Sequence, residues 1–386
     1  MAQYSFDSID LAALRRRKSE KWVTHPPDVL PAFVAEMDFE LAQPIRNVLH
    51  EAVESGDSGY AWPAELRSAF AEFAARRFAW NIERDRVFAV PDVMAGVEES
   101  LRLFTERGAG VVINPPVYPP FFQVIENSER RVVCVDLDRD LSGRYSVDMN
   151  GLEHAFADGA KAYLLCSPHN PVGRVWTRAE LEPIAELARR YDVAIISDEI
   201  HAPLTMPAID FVPMLTVSDE EQSCITLTAA SKAWNIAGLK CGIMTANGRT
   251  HAPLRAQLTR RADEVLYRTG HFGVLASIAA FRDGEGWLDA LREHLNNNRR
   301  RLEDRLHQSI PAIRYRPGEA TYLAWLDCRE LDFGDDPAAR FLERGRVALE
   351  RGTKFGSTGA GFVRLNLGTS SAILDEIVER MSRALD

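Results

Sequence analysis

Short apolar runs alternate with longer amphipathic stretches between about residues 85 and 246. The short runs are rich in β-branched residues, as buried strands are, whereas the longer stretches have the period of helices. This alternation predicts an α/β fold in which helices connect the strands of a mainly parallel, seven-stranded sheet. The predicted strands are Val87–Val90, Gly110–Ile113, Val132–Val135, Ala162–Cys166, Val193–Ser197, Ile225–Thr228 and Gly242–Thr245.

The longer stretches predict the helices of this region. They cover Val97–Phe104, Arg178–Arg190 and His251–Phe281. The second helix has the signature of a capped N-terminus, because Thr177 precedes it and Glu180 follows three residues later.

The pattern changes near Trp287, where a long charged helix begins and an α+β arrangement follows. The elements predicted after that helix are strands at Ile313–Arg316 and Tyr322–Leu326, a helix near Pro337–Glu350, a strand at Phe362–Leu367 and a final helix. We therefore expect a large domain over residues 46–285 and a small α+β domain over residues 286–386. Residues 1–45 precede the sheet and contain their own proline-rich part, so we expect them to join the small domain.

Composition narrows the classes of function. The chain of 386 residues is 46% hydrophobic and 26% charged, which is typical of a globular protein, and its net charge of -10 argues against a nucleic-acid partner. The N-terminus lacks the apolar stretch of a secretory signal and no later segment is long enough to span a membrane, so a cytoplasmic protein is expected. The five cysteines are scattered singly, which favours buried free thiols and no metal site.

Candidate chemistry lies where strands end, because ligands of open parallel sheets bind outside the carboxyl edge. Lys232 follows one predicted strand and Asp198 follows another, while Asn170 lies in a turn fixed by two prolines and a glycine. A lysine desolvated at such a place has a lowered pKa and can form an imine with an aldehyde. The turn before the helix at Val93 and Met94 offers free backbone amides to a phosphate. Each signal alone also fits an ordinary surface lysine, a helix cap or a structural turn.

The order of these residues resembles that of the fold type I pyridoxal-phosphate enzymes. The matching positions are the turn after Val90, Tyr118, Asn170, Asp198, Ser231–Lys232 and Arg364. Within that superfamily the sequence motifs resemble those of cystathionine beta-lyases of the MalY/PatB type. The most specific stretches are residues 167–177, Ser-Pro-His-Asn-Pro-Val-Gly-Arg-Val-Trp-Thr, and residues 198–201, Asp-Glu-Ile-His.

The resemblance implies a role for each matching residue around pyridoxal 5'-phosphate. Lys232 would form the imine and later move protons, Asp198 would pair with the ring nitrogen, and Tyr118 would stack on the ring. The ring oxygen would be contacted by Asn170 and His201. The phosphate would be held by Ser231, Lys240, the amides of Val93 and Met94, and Tyr60 of a neighbouring subunit in a homodimer.

The substrate implied by the resemblance is an amino acid. Arg364 would bind its α-carboxylate with two parallel hydrogen bonds, and Ala35 would lie against it. Two departures stand out: Lys240 occupies a place where relatives often have arginine, and no hydroxyl lies around Val93 and Met94.

The expected reaction is β-elimination from L-cystathionine or a related cysteine thioether, which yields pyruvate, ammonia and a thiol. Transamination begins with the same proton removal, so an aminotransferase stays open as an alternative. A third alternative is binding of a regulatory protein with lyase activity as a secondary property.

Overall fold

The structure is a computed structural model that describes residues 4–385. Residues 1–3 of the predicted N-terminal segment and residue 386 of the predicted small domain lie outside the described residues. The strands are β1 Leu30–Pro31, β2 Val87–Val90, β3 Gly110–Ile113, β4 Arg131–Cys134, β5 Leu137–Arg139, β6 Tyr145–Val147, β7 Ala162–Cys166, β8 Ala194–Asp198, β9 Cys224–Thr228, β10 Gly242–Ala246, β11 Arg314–Tyr315, β12 Leu323–Asp327, β13 Val347–Ala348, β14 Glu350–Arg351 and β15 Phe362–Asn366. The α-helices are α1 Leu11–Leu14, α2 Glu20–Val23, α3 Gln43–Ser55, α4 Ala64–Phe78, α5 Val93–Phe104, α6 Pro120–Asn127, α7 Met149–Ala157, α8 Arg178–Arg190, α9 Gly248–Arg260, α10 His271–Asp283, α11 Glu285–Ser309, α12 Pro337–Gly345 and α13 Ser371–Arg383.

The predicted seven-stranded sheet is confirmed, in the order β2-β10-β9-β8-β7-β3-β4. The strands from β9 to β4 pair in parallel, and only β10 runs antiparallel to its two neighbours within the described part of the sheet. Helices cover both faces because alternate strand residues point in opposite directions. Val111 and Leu164 belong to the core under α5, α6 and α9, whereas Val112 and Leu165 belong to the core under α7 and α8.

A smaller antiparallel sheet, in the order β11-β12-β15-β14, follows the long helix α11. The short strand β1 pairs in parallel with β13, so the beginning of the chain packs against the elements near its end. Residues of this sheet share one hydrophobic core with α4, α10 and α11. The α/β fold with an additional α+β part is therefore the one predicted.

The helix predicted over His251–Phe281 is wrong, because two helices, α9 and α10, occupy that stretch. Gly270 lies between them and its amide donates to the Lys240 carbonyl at 2.7 Å. A Cβ at this position would collide with the Leu239 carbonyl, so the chain leaves the helical path to make this close approach.

Two smaller expectations are also corrected. The helix predicted near Pro337–Glu350 ends at Gly345, because Arg346 adopts a left-handed conformation with φ 54° and β13 then pairs with β1. Cys134 is exposed on β4, whereas the other four cysteines are buried as predicted. By contrast, the capped start of α8 is confirmed, since the Thr177 side chain accepts from the Glu180 amide.

No helix within residues 4–385 combines the length and the apolar character that crossing a bilayer requires.

Candidate active site

Three parallel strands end side by side at one edge of the large sheet. Cys166 at the end of β7 lies opposite Asp198 at the end of β8, and Asp198 lies opposite Leu227 of β9. Outgoing loops form a crevice outside this edge, and a cavity of about 180 Å³ lies there. The predicted site residues that line it are Ala35, Val93, Met94, Tyr118, Asn170, Asp198, His201, Ser231, Lys232 and Lys240.

Lys232 extends into the cavity from the loop after β9. Its Nζ donates a hydrogen bond to the carbonyl of Ala35 at 2.9 Å. Burial, together with the nearby positive charge of Arg364, lowers the pKa of the Lys232 amine to about 8. More of this amine is therefore uncharged near neutral pH than of an ordinary lysine, and the uncharged amine is the form that attacks an aldehyde or accepts a proton.

Asp198 and His201, together with Lys232, form the floor of the cavity, where burial shifts the pKa of all three side chains. Burial raises the pKa of the Asp198 carboxyl to about 7, although its Oδ1 accepts a hydrogen bond from the Ile200 amide at 3.1 Å. Burial, with the charges of Lys232 and Arg364, lowers the pKa of His201 to about 3. His201 Nδ1 is buried and has no hydrogen-bond partner among residues 4–385. The floor therefore offers a carboxyl that a cationic group would ionise and a ring nitrogen free to bond a ligand.

Arg364 is buried on β15, beside the cavity rather than in its wall. Its Nη1 donates to Oδ1 of Asn170 at 3.2 Å and its Nη2 donates to the carbonyl of Phe33 at 2.8 Å. The guanidinium also lies over the ring of Phe355, 5.0 Å from the centroid. Because Asn170 lines the cavity, the guanidinium is one side chain away from it.

Tyr118 and the start of α5 also line the cavity. Tyr118 packs edge to face on Phe121 at 5.8 Å, and burial with the charge of Asp198 raises its pKa to about 12. The N-cap residue Asp92 accepts from the Ala95 amide at 2.9 Å. The amides of Val93 and Met94 precede the first intrahelical bond, so they are free to bind an anion at the positive end of the helix.

The rim of the cavity carries an exposed ion pair. Nζ of Lys240 lies 2.9 Å from Oδ2 of Asp92, and both side chains are substantially exposed. Lys240 has a left-handed backbone with φ 58°. Asp92 was not among the predicted site residues, although an aspartate directly before a helix is a recognisable N-cap signal.

Tyr60 was predicted as a site residue and does not line the cavity, whereas Cys166 and Cys241 were not predicted and do line it. Tyr60 is 80% exposed and contacts Tyr267, with ring centroids 5.6 Å apart, away from the cavity of its own chain. Cys166 and Cys241 line the cavity although no sequence signal marked them, since a single cysteine has no motif. Burial raises the pKa of both thiols, so both are held in the neutral form.

A parallel sheet with a lowered-pKa amine, a buried carboxyl and a helix N-terminus at one edge defines an α/β enzyme that binds a small charged ligand there. The sequence profile described as "Aminotransferase class I and II" matches residues 49–381. The chain belongs to this family.

Relatives within the family extend over nearly the whole chain. A "Putative cystathionine beta-lyase" of Mycobacterium leprae is 44% identical over 100% of this chain and 99% of its own length. "Cystathionine beta-lyase PatB" of Bacillus subtilis is 34% identical over 93% of each chain. The crystal structure of cystalysin from Treponema denticola, which contains pyridoxal 5'-phosphate, superposes with a TM-score of 0.91 at 31% identity and covers 99% of this chain and 98% of that one.

Proposed function

We propose that this chain is a pyridoxal-phosphate-dependent carbon-sulfur lyase that removes the sulfur substituent from the β-carbon of L-cystathionine or a related cysteine thioether. The products would be pyruvate, ammonia and a thiol. The observation that carries this proposal is the full-length similarity to relatives named cystathionine beta-lyase, at 34% identity and above. The site residues described above fit the same chemistry.

The cavity fits pyridoxal 5'-phosphate by the character of its donors and acceptors. The cofactor has an aldehyde, a phenolic oxygen, a basic ring nitrogen and a phosphate. The cavity offers, in turn, the amine of Lys232, the unpaired His201 Nδ1 with the Asn170 amide, the Asp198 carboxyl and the free amides at the start of α5. Each cofactor group therefore has a matching partner.

The residues that would hold the cofactor follow from this match. Asp198 would lie at the ring nitrogen, where a positive charge would return its pKa towards the ordinary range and keep the carboxylate ionised. Tyr118 would cover the ring, and Ser231 with the two amides of α5 would bind the phosphate. When bound, the cofactor supplies an aldehyde that condenses with amines and a protonated ring that withdraws electrons.

The chain's own groups then act on the substrate. Arg364 would bind the substrate α-carboxylate with its planar guanidinium, which the hydrogen bonds to Asn170 and Phe33 hold in one orientation. The Lys232 amine, with its lowered pKa, would accept the α-proton as a general base. It can later return a proton, because its pKa of about 8 is near the working pH.

We also propose that the active protein is a homodimer in the cytoplasm. Tyr60 and Trp62 are 80% and 78% exposed, and Trp62 lies on a groove formed by α3 and α10. A second subunit would cover these aromatic side chains and bring Tyr60 to the phosphate of its neighbour. Light scattering that gives a monomer mass would contradict this part of the proposal.

The test of the activity is a panel of cysteine thioethers assayed with cofactor-loaded protein and no 2-oxo acid. We expect equal amounts of pyruvate, ammonia and thiol from L-cystathionine, and lower rates from S-methyl-L-cysteine and S-benzyl-L-cysteine. The family profile is named for aminotransferases, so each assay is repeated with a 2-oxo acid as acceptor. Consumption of the 2-oxo acid without any thiol would establish an aminotransferase instead.

A further inference from the structure

Residues 33–39, which we name the strap, connect β1 to α3 without forming a helix or a strand. Every backbone carbonyl from Phe33 to Phe39 nevertheless accepts a hydrogen bond from a side chain. The donors are Arg364, Asn366, Lys232 with Tyr322, Lys21, Asn235 and Arg17, taken along the strap. These donors come from the N-terminal region, from the loop that follows β9, and from β15 and the residue just before β12 of the small sheet. The strap is therefore fixed mainly by side chains, with one long-range backbone hydrogen bond from the Asp38 amide to the Gly368 carbonyl at 2.9 Å.

Two carbonyls of the strap accept hydrogen bonds from Lys232 and Arg364, the two cationic groups to which the proposed function gives proton transfer and binding of the substrate carboxylate. The Phe33 carbonyl accepts from Arg364 Nη2 at 2.8 Å, and the Ala35 carbonyl accepts from Lys232 Nζ at 2.9 Å. Tyr322, buried on the small-sheet side, donates its hydroxyl to the same Ala35 carbonyl at 2.9 Å. One short stretch of backbone thus sets the spacing between the amine and the guanidinium.

A buried ion pair outside the cavity fastens the strap. Nζ of Lys21 lies 2.8 Å from Oδ1 of Asp38 and also donates to the Glu36 carbonyl at 3.2 Å. The two side chains are only 1% and 2% exposed. Neither lines the cavity. Removing two charges from water costs enough that well-packed apolar side chains are often as stable or more stable, so stability alone gives no reason for this pair.

We propose that Lys21 and Asp38 are positioning residues, which lock the strap so that its Phe33 and Ala35 carbonyls hold Arg364 and Lys232 at a fixed separation. This inference rests on the proposed function for the roles of Arg364 and Lys232. If the strap were loosened, the side chains of Arg364 and Lys232 would still be present, but they would no longer be held at the correct separation. Misplacement by about 1 Å costs roughly 10²-fold in rate when reacting groups must be aligned.

The test uses the double variant Lys21→Met/Asp38→Leu, which replaces the ion pair with apolar side chains of similar size. We expect a melting temperature near that of the unmodified protein, because no charge is left unpaired. We expect amide hydrogen exchange of Met37 in the cofactor-free protein to become at least about tenfold faster, since this amide now donates to Oδ1 of Asn235 at 2.9 Å and neither Met37 nor Glu36 is changed in the variant. We expect kcat/KM for L-cystathionine to fall by about tenfold to 10²-fold.

A second readout does not depend on the reaction catalysed. Reductive methylation of Lys232 in the cofactor-free protein, followed by peptide mapping, gives the pH at which this amine becomes reactive. Losing the fixed Ala35 carbonyl removes an acceptor that favours the ammonium form, so the midpoint should move to lower pH in the double variant. If the unmodified protein releases no pyruvate, the proposed function fails. The amide exchange and methylation measurements would still show whether Lys21 and Asp38 fix the strap.

The matched control is Glu99→Gln, which alters another buried charge, bonded to Arg261 and Gln257 between α5 and α9. It should lower the melting temperature without changing exchange in the strap or the methylation midpoint of Lys232. The single variant Lys21→Met leaves Asp38 unpaired and should be less stable than the double variant. The proposal is overturned if the double variant keeps normal exchange and methylation, or if the strap loosens while kcat/KM stays unchanged.

Discussion

The charged groups at the floor of the cavity are shielded from water, whereas those at its rim are exposed to it. At the floor, burial moves the pKa of Asp198, His201 and Lys232 far from their ordinary values. At the rim, Asp92 and Lys240 form an ion pair with side chains 40% and 59% exposed. Water screens an exposed pair and leaves it little net energy, whereas buried charges are costly until a ligand compensates them. The floor should therefore carry the chemistry, and the rim should only tune ligand entry.

The largest effect is expected at the floor from Lys232→Ala. Without this amine, neither the covalent link to the cofactor nor removal of the α-proton is possible. We expect a loss of pyruvate release of about 10³-fold or more, as removal of an essential nucleophile or base commonly gives. The measurement is turnover of L-cystathionine with cofactor-saturated protein. A variant that retains a tenth of the activity would place the chemistry elsewhere.

The next largest effect is expected from Asp198→Asn, which is nearly isosteric and cannot keep a ring nitrogen protonated. We expect kcat to fall by about 10²-fold, similar to the loss of other preorganised electrostatic groups. The control is Glu199→Gln, since Glu199 is also buried but bonds to Ser197 and to the amide of Met214 instead of lining the cavity. Equal losses in the two variants would argue against a special role for Asp198.

The pH dependence of stability should reveal the buried Asp198 carboxyl at the floor in the cofactor-free protein. Asp198 has a pKa raised from 3.8 to about 7, so the folded state binds its proton more tightly than the unfolded state does. Stability from this group is present below about pH 4 and is lost as the pH rises to about 7. Relative to the unmodified protein, Asp198→Asn should therefore gain a few kcal/mol across this window, because one pKa unit corresponds to about 1.4 kcal/mol.

The measurement is urea unfolding of both cofactor-free proteins at several pH values between 4 and 8. Glu199, whose pKa burial also raises, is present in both proteins and cancels in the difference. A constant difference across the window would show that Asp198 is already ionised in the folded protein.

A smaller effect is expected from Arg364→Lys beside the floor. Lysine keeps the charge and loses the planar pair of donors that now bond Asn170 and Phe33. We expect the KM for L-cystathionine to rise by about tenfold, equivalent to about 1.4 kcal/mol, with a smaller change in cofactor affinity. An increase in the cofactor Kd without a change in KM would reassign Arg364 to the cofactor.

The smallest effect is expected at the rim from Lys240→Gln. The Lys240 side chain is 59% exposed, so an ion pair between it and the cofactor phosphate would contribute about 0–1 kcal/mol, and the Kd for pyridoxal 5'-phosphate should rise by no more than about fivefold. The control ligand is pyridoxal, which lacks the phosphate and should bind both proteins equally. A loss of affinity as large as that of a floor variant would remove the distinction between floor and rim.

Local patterns were sufficient to predict the strands of the sheet. Uninterrupted apolar runs such as Ala162–Cys166 occur where both faces of a strand are buried, so their bounds follow closely from hydrophobicity. The polar residues after these strands were predicted to lie together because parallel strands share a carboxyl edge. In the structure Asn170, Asp198 and Lys232 line one cavity, and their roles in it stay predictions.

Features that depend on distant partners were not predictable. The break between α9 and α10 arises from the contact of Gly270 with Leu239, and the strap is fixed by donors as distant along the chain as Arg364. Neither has a periodic pattern, because the determining interaction is tertiary. The exposed Tyr60 shows a related limit, since its predicted partner belongs to a second subunit.

The central claim is that the amine of Lys232 carries the cofactor. The direct measurement is borohydride reduction of the protein loaded with pyridoxal 5'-phosphate, followed by peptide mapping. We predict one pyridoxyl group per chain, on the peptide that contains Lys232, together with loss of the visible absorbance band. A colourless loaded protein, or a label on another lysine with Lys232 unmodified, would contradict the account.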